Sequence, residues 1–475
     1  LNQKNFKIGL FAIGLEAYWP QFDGLRKRLE TNLNVVEAKL MAMHPDVINL
    51  GLVDNTDKAF DAGTRFRQEC VDLIFIYVAT YALSATVLPV VQQTRVPVII
   101  LNIVPEAAID YETFNRIGER SKMTAEWLAY CSPCPVPELI NVFKRTKIQF
   151  YQITGILYDD ACWAAAGEWI EAGLVARTMA FNRMGCLGHY YSGMLDIYAD
   201  LTLQYAYFGG HIELLEVDEL AELRSSVSES EISKKLNDFQ LHFDIEQDCN
   251  KDDLRISAQT SVALDKLVDK YQLGSMAYYY KGTGNLHNEE TISSIILGNS
   301  LLTARNIPVA GEYEIKNVQA MKILDSFGAG GSFTEYYAID YIADVLLMGH
   351  DGPGHIGISE GKTKVRPLKI YHGKVGRGLS VEMSVKIGSV TLLSVVEIPG
   401  GKLMLLLAEA ESVPGPILQI GNTNSRYKFH IGVKAFIESW NSYGPAHHCA
   451  VGIGHIGSKI KKLGNLLNID VVQIC

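Results

Sequence analysis

The 475-residue sequence has no apolar run approaching the roughly 18 residues of a membrane-spanning helix, and its longest candidate, LIFIYVATYALSA at 73–85, is interrupted by polar groups. No spanning segment and no membrane partner are expected. Positive charge is not in excess either: 43 Lys and Arg against 53 Asp and Glu leave −10, which argues against a broad phosphate-binding surface and against nucleic acid as a partner. Internal repeats and low-complexity tracts are missing, and proline (15) is scarce beside glycine (41), so collagen-like and wholly disordered classes are excluded. The eight cysteines (Cys70, Cys131, Cys134, Cys162, Cys186, Cys249, Cys449 and Cys475) lack a repeated spacing, which fits a reducing compartment and a cytoplasmic location. Cys131 and Cys134 do form a C-x-x-C. In SPCPVP, however, the prolines argue against the helix that a redox-active motif opens, and no second pair completes a zinc site. The opening LNQKNFKIGLFAIGLEAYW has no small-residue cleavage site and runs straight into Glu16, so it reads as a first strand.

What is present is an alternation of β-branched runs with amphipathic stretches. KIGLFAIG (7–14), VINLGLV (47–53), VDLIFIYV (71–78) and VPVIILN (96–102) read as buried parallel strands separated by helices such as DGLRKRLETNLNVVEAKL (23–40). The region 105–145 reads as a helix and loop returning to a strand near 148–157. A second block of the same kind begins with CWAAAGEWIEAGLVAR (162–177) and runs to MAYYYKG (276–282). After about residue 330, KTKVRPLKIYHG, LSVEMSVKIGSVTLLSVVEIPGGKLMLLLAEAES and ILQIG read as antiparallel strands, before a final helix-strand-helix-strand segment. The expected fold class is α/β, with Rossmann-like parallel-sheet domains at 1–160 and 161–330 and a β-rich, barrel-like domain at 331–475.

The Rossmann-like pattern does not carry a dinucleotide. The turn after the first strand, AIGLEAYWPQFDG, has no G-x-G-x-x-G, and no acidic residue closes the second strand in a ribose position. FGAGGS (327–332) follows a helical stretch and precedes a strand, the reverse of a phosphate-cradling loop, and reads as a helix-to-strand connection. SSVSESEISKKLND (225–238) reads as a solvated helix face. Singly, Glu312, Glu335, His350, His447 and His448 are ordinary charged or polar residues beside turns; each nevertheless stands where an apolar strand meets a Gly- or Pro-containing turn, a position from which side chains converge on clefts.

Their order changes this reading. The run AGEYEIKNVQAMKILDSFGAGGSFTEYYAIDYIADVLLMGHDGPGH (310–355) resembles the L-arabinose isomerase family, whose corresponding run is an A-G-E segment, a helix, a G-G-x-S-F-x-E segment and a G-x-H. The pair His447–His448 matches the family's late H-H, and NRMGCLGHYYSGMLD (182–196) and FGGHIELLEVDEL (208–220) echo its second domain. The resemblance implies that Glu312, Glu335, His350 and His448 bind a divalent metal, Mn²⁺ or alternatively Co²⁺, and that Glu312 and Glu335 act as base and acid in an aldose–ketose isomerisation through an ene-diol. Such a mixed oxygen and nitrogen shell suits these ions. It also implies a homo-trimer or homo-hexamer acting on a small sugar.

Alternation along a strand lets only one of His447 and His448 reach the metal, leaving His447 as a packed, exposed or sugar-contacting neighbour. The sugar-contacting segments depart from the family. IGLEAYWPQF replaces its G-S-Q-x-L-Y segment, so Glu16 stands where a glutamine contact is expected, with Tyr18 nearby, and LNIVPEA (101–107) replaces H-T-Q-F-N. His189, His355 and His372 are further candidates against a plain reading as turn or packing histidines, with His189 grouped with Glu16, Tyr18 and His447 as sugar contacts. Lys364, Arg366, Lys374 and Arg377 either meet an acidic sugar or decorate exposed strand faces. Two rival functions use the same residues: epimerisation or isomerisation of a modified sugar, and a non-catalytic sugar-binding homologue.

Overall fold

The apolar runs near the start of the chain all become parallel strands. A computed structural model describes residues 6–368 and 378–475, and the chain divides into two compact units, Leu1–Arg177 and Thr178–Cys475. His372, Lys374 and Arg377 lie outside the described residues. In the first unit β1 (Ile8–Ile13), β2 (Val47–Val53), β3 (Leu73–Val78), β4 (Val98–Val104) and β5 (Phe150–Ile156) form one parallel sheet in the order β2-β1-β3-β4-β5. Every residue of β1 and β3 is buried. Such strands carry no polar alternation because helices cover both of their faces. The helix Leu25–Met43 explains its own packing: Leu25, Leu29, Leu33, Val36 and Leu40 recur every three or four residues and are the ones it buries.

The region 105–145 holds three helices, Tyr111–Arg116, Arg120–Leu128 and Val136–Arg145, where one was expected. It also corrects the reading of SPCPVP. Pro135 is the N-cap of the helix Val136–Arg145 and Pro137 lies in its first turn, where a missing N–H breaks no helical hydrogen bond, so the prolines open a helix instead of preventing one. Cys131 and Cys134, just ahead of it, are joined by a disulfide, whereas the other six cysteines are free thiols.

The second unit contributes β6 (Arg183–Gly188), β7 (His211–Leu215), β8 (Phe243–Ile245), β9 (Ser275–Tyr279), β10 (Val309–Ala310), β11 (Ser332–Asp340), β12 (Val345–His350), β13 (Thr363–Leu368), β14 (Gly378–Glu382), β15 (Gly388–Ile398), β16 (Lys402–Ser412), β17 (Thr423–Lys428), β18 (His448–Ile453) and β19 (Asp470–Gln473). Four of these make a parallel sheet, β10-β9-β6-β7, and a three-stranded sheet β14-β13-β8 stands apart. The remaining strands run β15-β18-β11-β12-β17-β16-β19, and β15 also pairs with β16, so six antiparallel strands close into a ring with β19 added in parallel to β16. The turn Pro399-Gly400-Gly401 joins β15 to β16 with both glycines at positive φ. Inside the ring Leu392, Leu406, Val451 and Trp440 are buried, and Phe429 stacks on Phe436 at 3.6 Å between ring centroids.

FGAGGS connects the helix Ile315–Ser326 to β11, in the expected order. A β-carbon at Gly331 would lie 2.5 Å from the Met321 carbonyl oxygen, which explains one of its glycines. SSVSESEISKKLND forms most of the helix Glu229–His242, which buries Ile232, Lys235 and Phe239 and begins in a capping box of Ser228 and Glu231. ILQIG is not a strand. Pro414 and Pro416 precede it and cannot donate to a ladder, and pairing resumes only at β17. Among the described residues no helix is long and apolar enough to cross a membrane.

Leu406 is fully enclosed in the barrel core. Leu406→Ala is expected to lower stability by about 2–5 kcal/mol in denaturant unfolding. A loss well under 1 kcal/mol would show that β16 does not pack inward there.

Candidate metal centre

Four of the residues singled out in the sequence come to one place in the second unit, each for a local reason. Glu312 follows β10 and so lies at the C-terminal end of a parallel sheet, where side chains leave the strands toward ligands. Glu335 lies on β11, in register with His448 at the start of β18 on one side and with Gly349 of β12 on the other. Directly paired residues stand about 4.5–5.5 Å apart at Cβ, so this register brings Glu335 and His448 together. His350 ends β12, and its neighbour Gly349 is forced: a β-carbon there would sit 1.8 Å from the Thr423 carbonyl oxygen and 2.8 Å from the Tyr337 ring. Phe333, two residues before Glu335, packs between the histidines, 4.2 Å from the His350 ring and 4.4 Å from the His448 ring.

The backbone at Glu312 is unusual. Glu312 and Tyr313 are consecutive non-glycine residues in the left-handed region, at φ 57° and 63°. Each such residue costs on the order of 1–3 kcal/mol and needs surrounding structure to hold it. Here the Tyr313 N–H donates to the Tyr278 carbonyl at 3.1 Å, the Glu314 N–H donates to Gly311 at 3.0 Å, and the buried Tyr313 ring lies edge-on to Tyr190. The turn throws the Glu312 side chain toward the barrel, where its Oε2 stands 3.3 Å from His448 Nε2 and 3.8 Å from His447 Nε2.

His448 is entirely buried, and neither of its ring nitrogens makes a hydrogen bond. Burial, reinforced by the adjacent His447, holds its pKa well below the ordinary histidine value, so it is a neutral imidazole, the form that ligates a metal. Behind it stands Glu314, equally buried, with Oε2 3.5 Å from His448 Nδ1 and Oε1 3.6 Å from Lys316 Nζ. Burial pushes the Glu314 carboxyl up to about 7, against the opposing pull of Lys316. Lys316 is fastened in turn, donating to the carbonyls of Asp196 at 2.6 Å and Tyr198 at 3.2 Å.

These residues flank a cavity of about 520 Å³ lined by Glu312, Glu335, His350 and His447 together with Tyr191, Tyr279 and Tyr337. Burial first, then Tyr191 and Glu312, raises the Tyr279 hydroxyl to about 12, so it remains a neutral donor. His447 corrects an expectation. It precedes β18 and so escapes strand alternation; its ring lies 3.8 Å from that of His448 and it lines the cavity too. Asp196 holds it, with Oδ2 2.6 Å from His447 Nδ1 and 3.0 Å from the His447 backbone nitrogen. Burial raises the Asp196 carboxyl, but the hydrogen bonds from His447 outweigh it and leave the carboxyl below its usual range.

The remaining candidates have contacts of their own. Glu16 and Tyr18 form a short 3-10 turn after β1 in the first unit, where Glu16 accepts a hydrogen bond from Asn55 at 3.1 Å and Tyr18 packs on Trp19 and Phe22. His189 ends up beside the cavity-lining Tyr191; its ring meets Tyr279 and Tyr280, and Nδ1 lies 2.9 Å from the Tyr190 carbonyl. His355 is buried with Nε2 4.0 Å from Asp325. Lys364 and Arg366 project from β13 toward Glu246, and Arg366 pairs with Glu382 at 3.0 Å. Glu314, Lys316 and Asp196 were not singled out. The only signal for Glu314 was its place two residues after Glu312, and Asp196 offered none beyond ending a glycine-containing turn.

Two overlapping triads, Glu335–His350–His448 and Glu312–His447–His448, each bring three ligand atoms within 4.8 Å of one another. Metal–ligand bonds of about 2.0–2.2 Å put donors on opposite sides of an ion about 4.4 Å apart. A buried neutral imidazole with no hydrogen bond, facing carboxylates at this spacing, fits a divalent ion bound by oxygen and nitrogen. Compared with protein-family models and with curated protein sequences, the chain matches none.

Glu314 faces the nitrogen of His448 opposite to the one that meets Glu312, the position of a carboxylate that orients a ligating imidazole. Glu314→Gln is expected to weaken Mn²⁺ binding about 10–100-fold in calorimetric titration, with an unchanged circular dichroism spectrum. Unaltered affinity would rule out this orienting role.

Proposed function

We propose that the protein is a divalent-metal-dependent aldose–ketose isomerase of the L-arabinose isomerase type, acting on a pentose or hexose. The observation that carries this reading is the gathering of Glu312, Glu335 and His350 on the wall of a cavity lined with tyrosines, with the buried His448 within ligand distance of them. Mn²⁺ is the proposed metal, and the cytoplasm and a trimeric or hexameric assembly are the proposed setting.

Isomerisation moves a proton from carbon 2 of the aldose to carbon 1, through an ene-diol, while a hydroxyl proton passes between the two oxygens. When bound, a divalent ion supplies Lewis-acid polarisation of the carbonyl and its neighbouring hydroxyl and stabilises the developing oxyanion charge. The chain's own residues do the rest. Glu312 and Glu335 both line the cavity, one able to take the carbon-bound proton and the other to return a proton, with the direction of reaction deciding which does which. His350 and His448 are held against Phe333, which keeps their rings from turning away. Tyr191, Tyr279 and Tyr337 offer hydroxyls and apolar ring faces to a polyol.

Glu312→Gln and Glu335→Gln are each expected to lower kcat at least a hundredfold, within the range of about 10²–10⁴ for loss of a general acid or base. Activity should be lost with a chelator and return with Mn²⁺. Run in D₂O over a panel of aldoses and ketoses, the reaction should place deuterium at carbon 1 of the ketose. Inversion at one centre without carbonyl migration would replace this reading by an epimerase, and full activity in both glutamine variants would end it.

A further inference from the structure

ILQIG (417–421), the segment that leaves the ladder ahead of β17, stands between two cavities of the second unit. Leu418 lines the cavity of the candidate metal centre, Gln419 and Gly421 line a second cavity of about 460 Å³, and Ile420 and Asn422 line both. Asp351, the residue after His350, is the third group common to the two walls. The divide reaches the surface, since Ile420 is 62% exposed. Its base is held firmly: Thr423 Oγ1, next to Asn422, accepts from the His350 backbone nitrogen at 2.7 Å and donates to the His350 carbonyl at 3.0 Å. The second cavity therefore adjoins the first beside a residue of the candidate metal centre, and is nearly as large.

Its other wall is the pair β13–β14, where Arg366 stands directly opposite Ser380. Two buried polar groups on this cavity have no partner on the chain. The Ser380 hydroxyl makes no hydrogen bond, and the Asn422 amide donates to the Tyr337 hydroxyl at 2.9 Å through Nδ2 while its Oδ1 makes none. Buried polar groups are nearly always paired, so two left open on one cavity point to a ligand that pairs them. Charge narrows the class. Arg366 grips Glu382 with two nitrogens, at 3.0 and 3.1 Å, and lies 3.7 Å from Glu246, which Lys364 also meets. With Asp248 and Asp351 on the wall, four carboxylates stand against these two cations among the described residues, so a phosphate or carboxylate on the ligand is repelled here. A ligand hydroxyl both donates and accepts, and so satisfies a serine hydroxyl and either end of an amide. Pro367 and Leu368 add apolar surface for the ring face of a sugar.

We propose that the ligand is a saccharide of at least two units, its reducing-end pentose or hexose at the metal centre and an uncharged, hydroxylated second unit in the cavity between Asn422 and Ser380. The reducing end rests on the isomerase reading; the second unit rests on the adjoining cavity and its open polar groups. Ser380 is then a specificity-determining contact for the second unit, and Asn422, which borders both cavities, lies at the junction of the two. Arg366 holds the wall through Glu382 and does not serve an acidic sugar.

The test compares sorbitol with maltitol, lactitol and isomaltitol, which are sorbitol carrying one further glycosyl unit, by calorimetric titration of the full-length protein in Mn²⁺-containing buffer. None of these has a carbonyl to convert, so binding is read apart from any reaction. The best of the three should bind about tenfold more tightly than sorbitol, the worth of two hydrogen bonds of ordinary net strength. Ser380→Ala should remove at least about threefold of that advantage, the share of one such bond, and leave sorbitol binding unchanged. A phosphate on the second unit, as in maltose 6′-phosphate, should weaken binding relative to maltose. The proposal is overturned if no glycosyl-sorbitol binds more tightly than sorbitol, if Ser380→Ala weakens sorbitol and its glycosides alike, or if the phosphate tightens binding. Conversion of reducing sugars is measured separately. If none is converted while the glycosyl preference holds, the isomerase reading fails and the second-unit site stands; if hexoses are converted and no glycosyl preference is found, the second-unit site fails alone.

Discussion

His448 has no contact with solvent, and a carboxylate oxygen stands against each of its ring nitrogens, at 3.3 Å for Glu312 and 3.5 Å for Glu314. Taking carboxylates out of water costs several kcal/mol apiece unless positive charge or donors replace the lost solvent. Lys316 supplies one such charge behind Glu314, and burial leaves that carboxyl half way to neutrality near pH 7. On the other side, the cluster of Glu312, Glu335 and their imidazoles is of the kind that a divalent cation stabilises. The surrounding architecture, from the left-handed turn at Glu312 to the aromatic wedge of Phe333, keeps these groups together in spite of their mutual repulsion.

That architecture divides the task between two kinds of sheet. The parallel sheet delivers Glu312 from a strand end, where the next residues must reverse direction and strained backbone is tolerated. The antiparallel ring delivers Glu335, His350 and His448 from adjacent strands whose register cannot slip by one residue without sending every side chain to the opposite face. One partner is adjustable and the other rigid. The loop containing Asp196 bridges them, since it is tied to Lys316 on the helix Ile315–Ser326 and to Glu397 on β15.

How much of this could be read in advance depended on whether the controlling interaction was local. β1, β3 and β4 were legible because burial on both faces leaves an uninterrupted apolar run, and the β15–β16 hairpin because two glycines follow Pro399. ILQIG has the composition of a strand, yet Pro414 and Pro416 take it out of the ladder. Pro135 and Pro137 misled in the opposite direction, since a proline in the first helical turn is harmless. In the site, residue order within 310–355 picked out Glu312, Glu335 and His350, which line one cavity. His447 lines the cavity, which fits its reading as a ligand contact, but the alternation argument does not apply to it, since it stands one residue before β18. Asp196 was out of reach: its partner is 251 positions away, and a lone acid after a turn has no periodicity to betray it.

The position of β18 in the ring has a consequence for how the molecule is made. β18 lies between β11 and β15, although it follows both by many residues in the chain, and it pairs with Glu335 itself through His448. During synthesis the parallel sheet of the first unit can complete itself early, as N-terminal units generally do. The barrel cannot, because its ring stays open at the β11 edge until residues 448–453 emerge and slot in. Glu335 therefore spends the interval on an unpaired strand edge, and it and His350 are without the imidazole that completes their cluster. The last strand to enter the ring is also the one that creates the site, so a nascent chain holds no finished metal centre with which to capture the wrong ion.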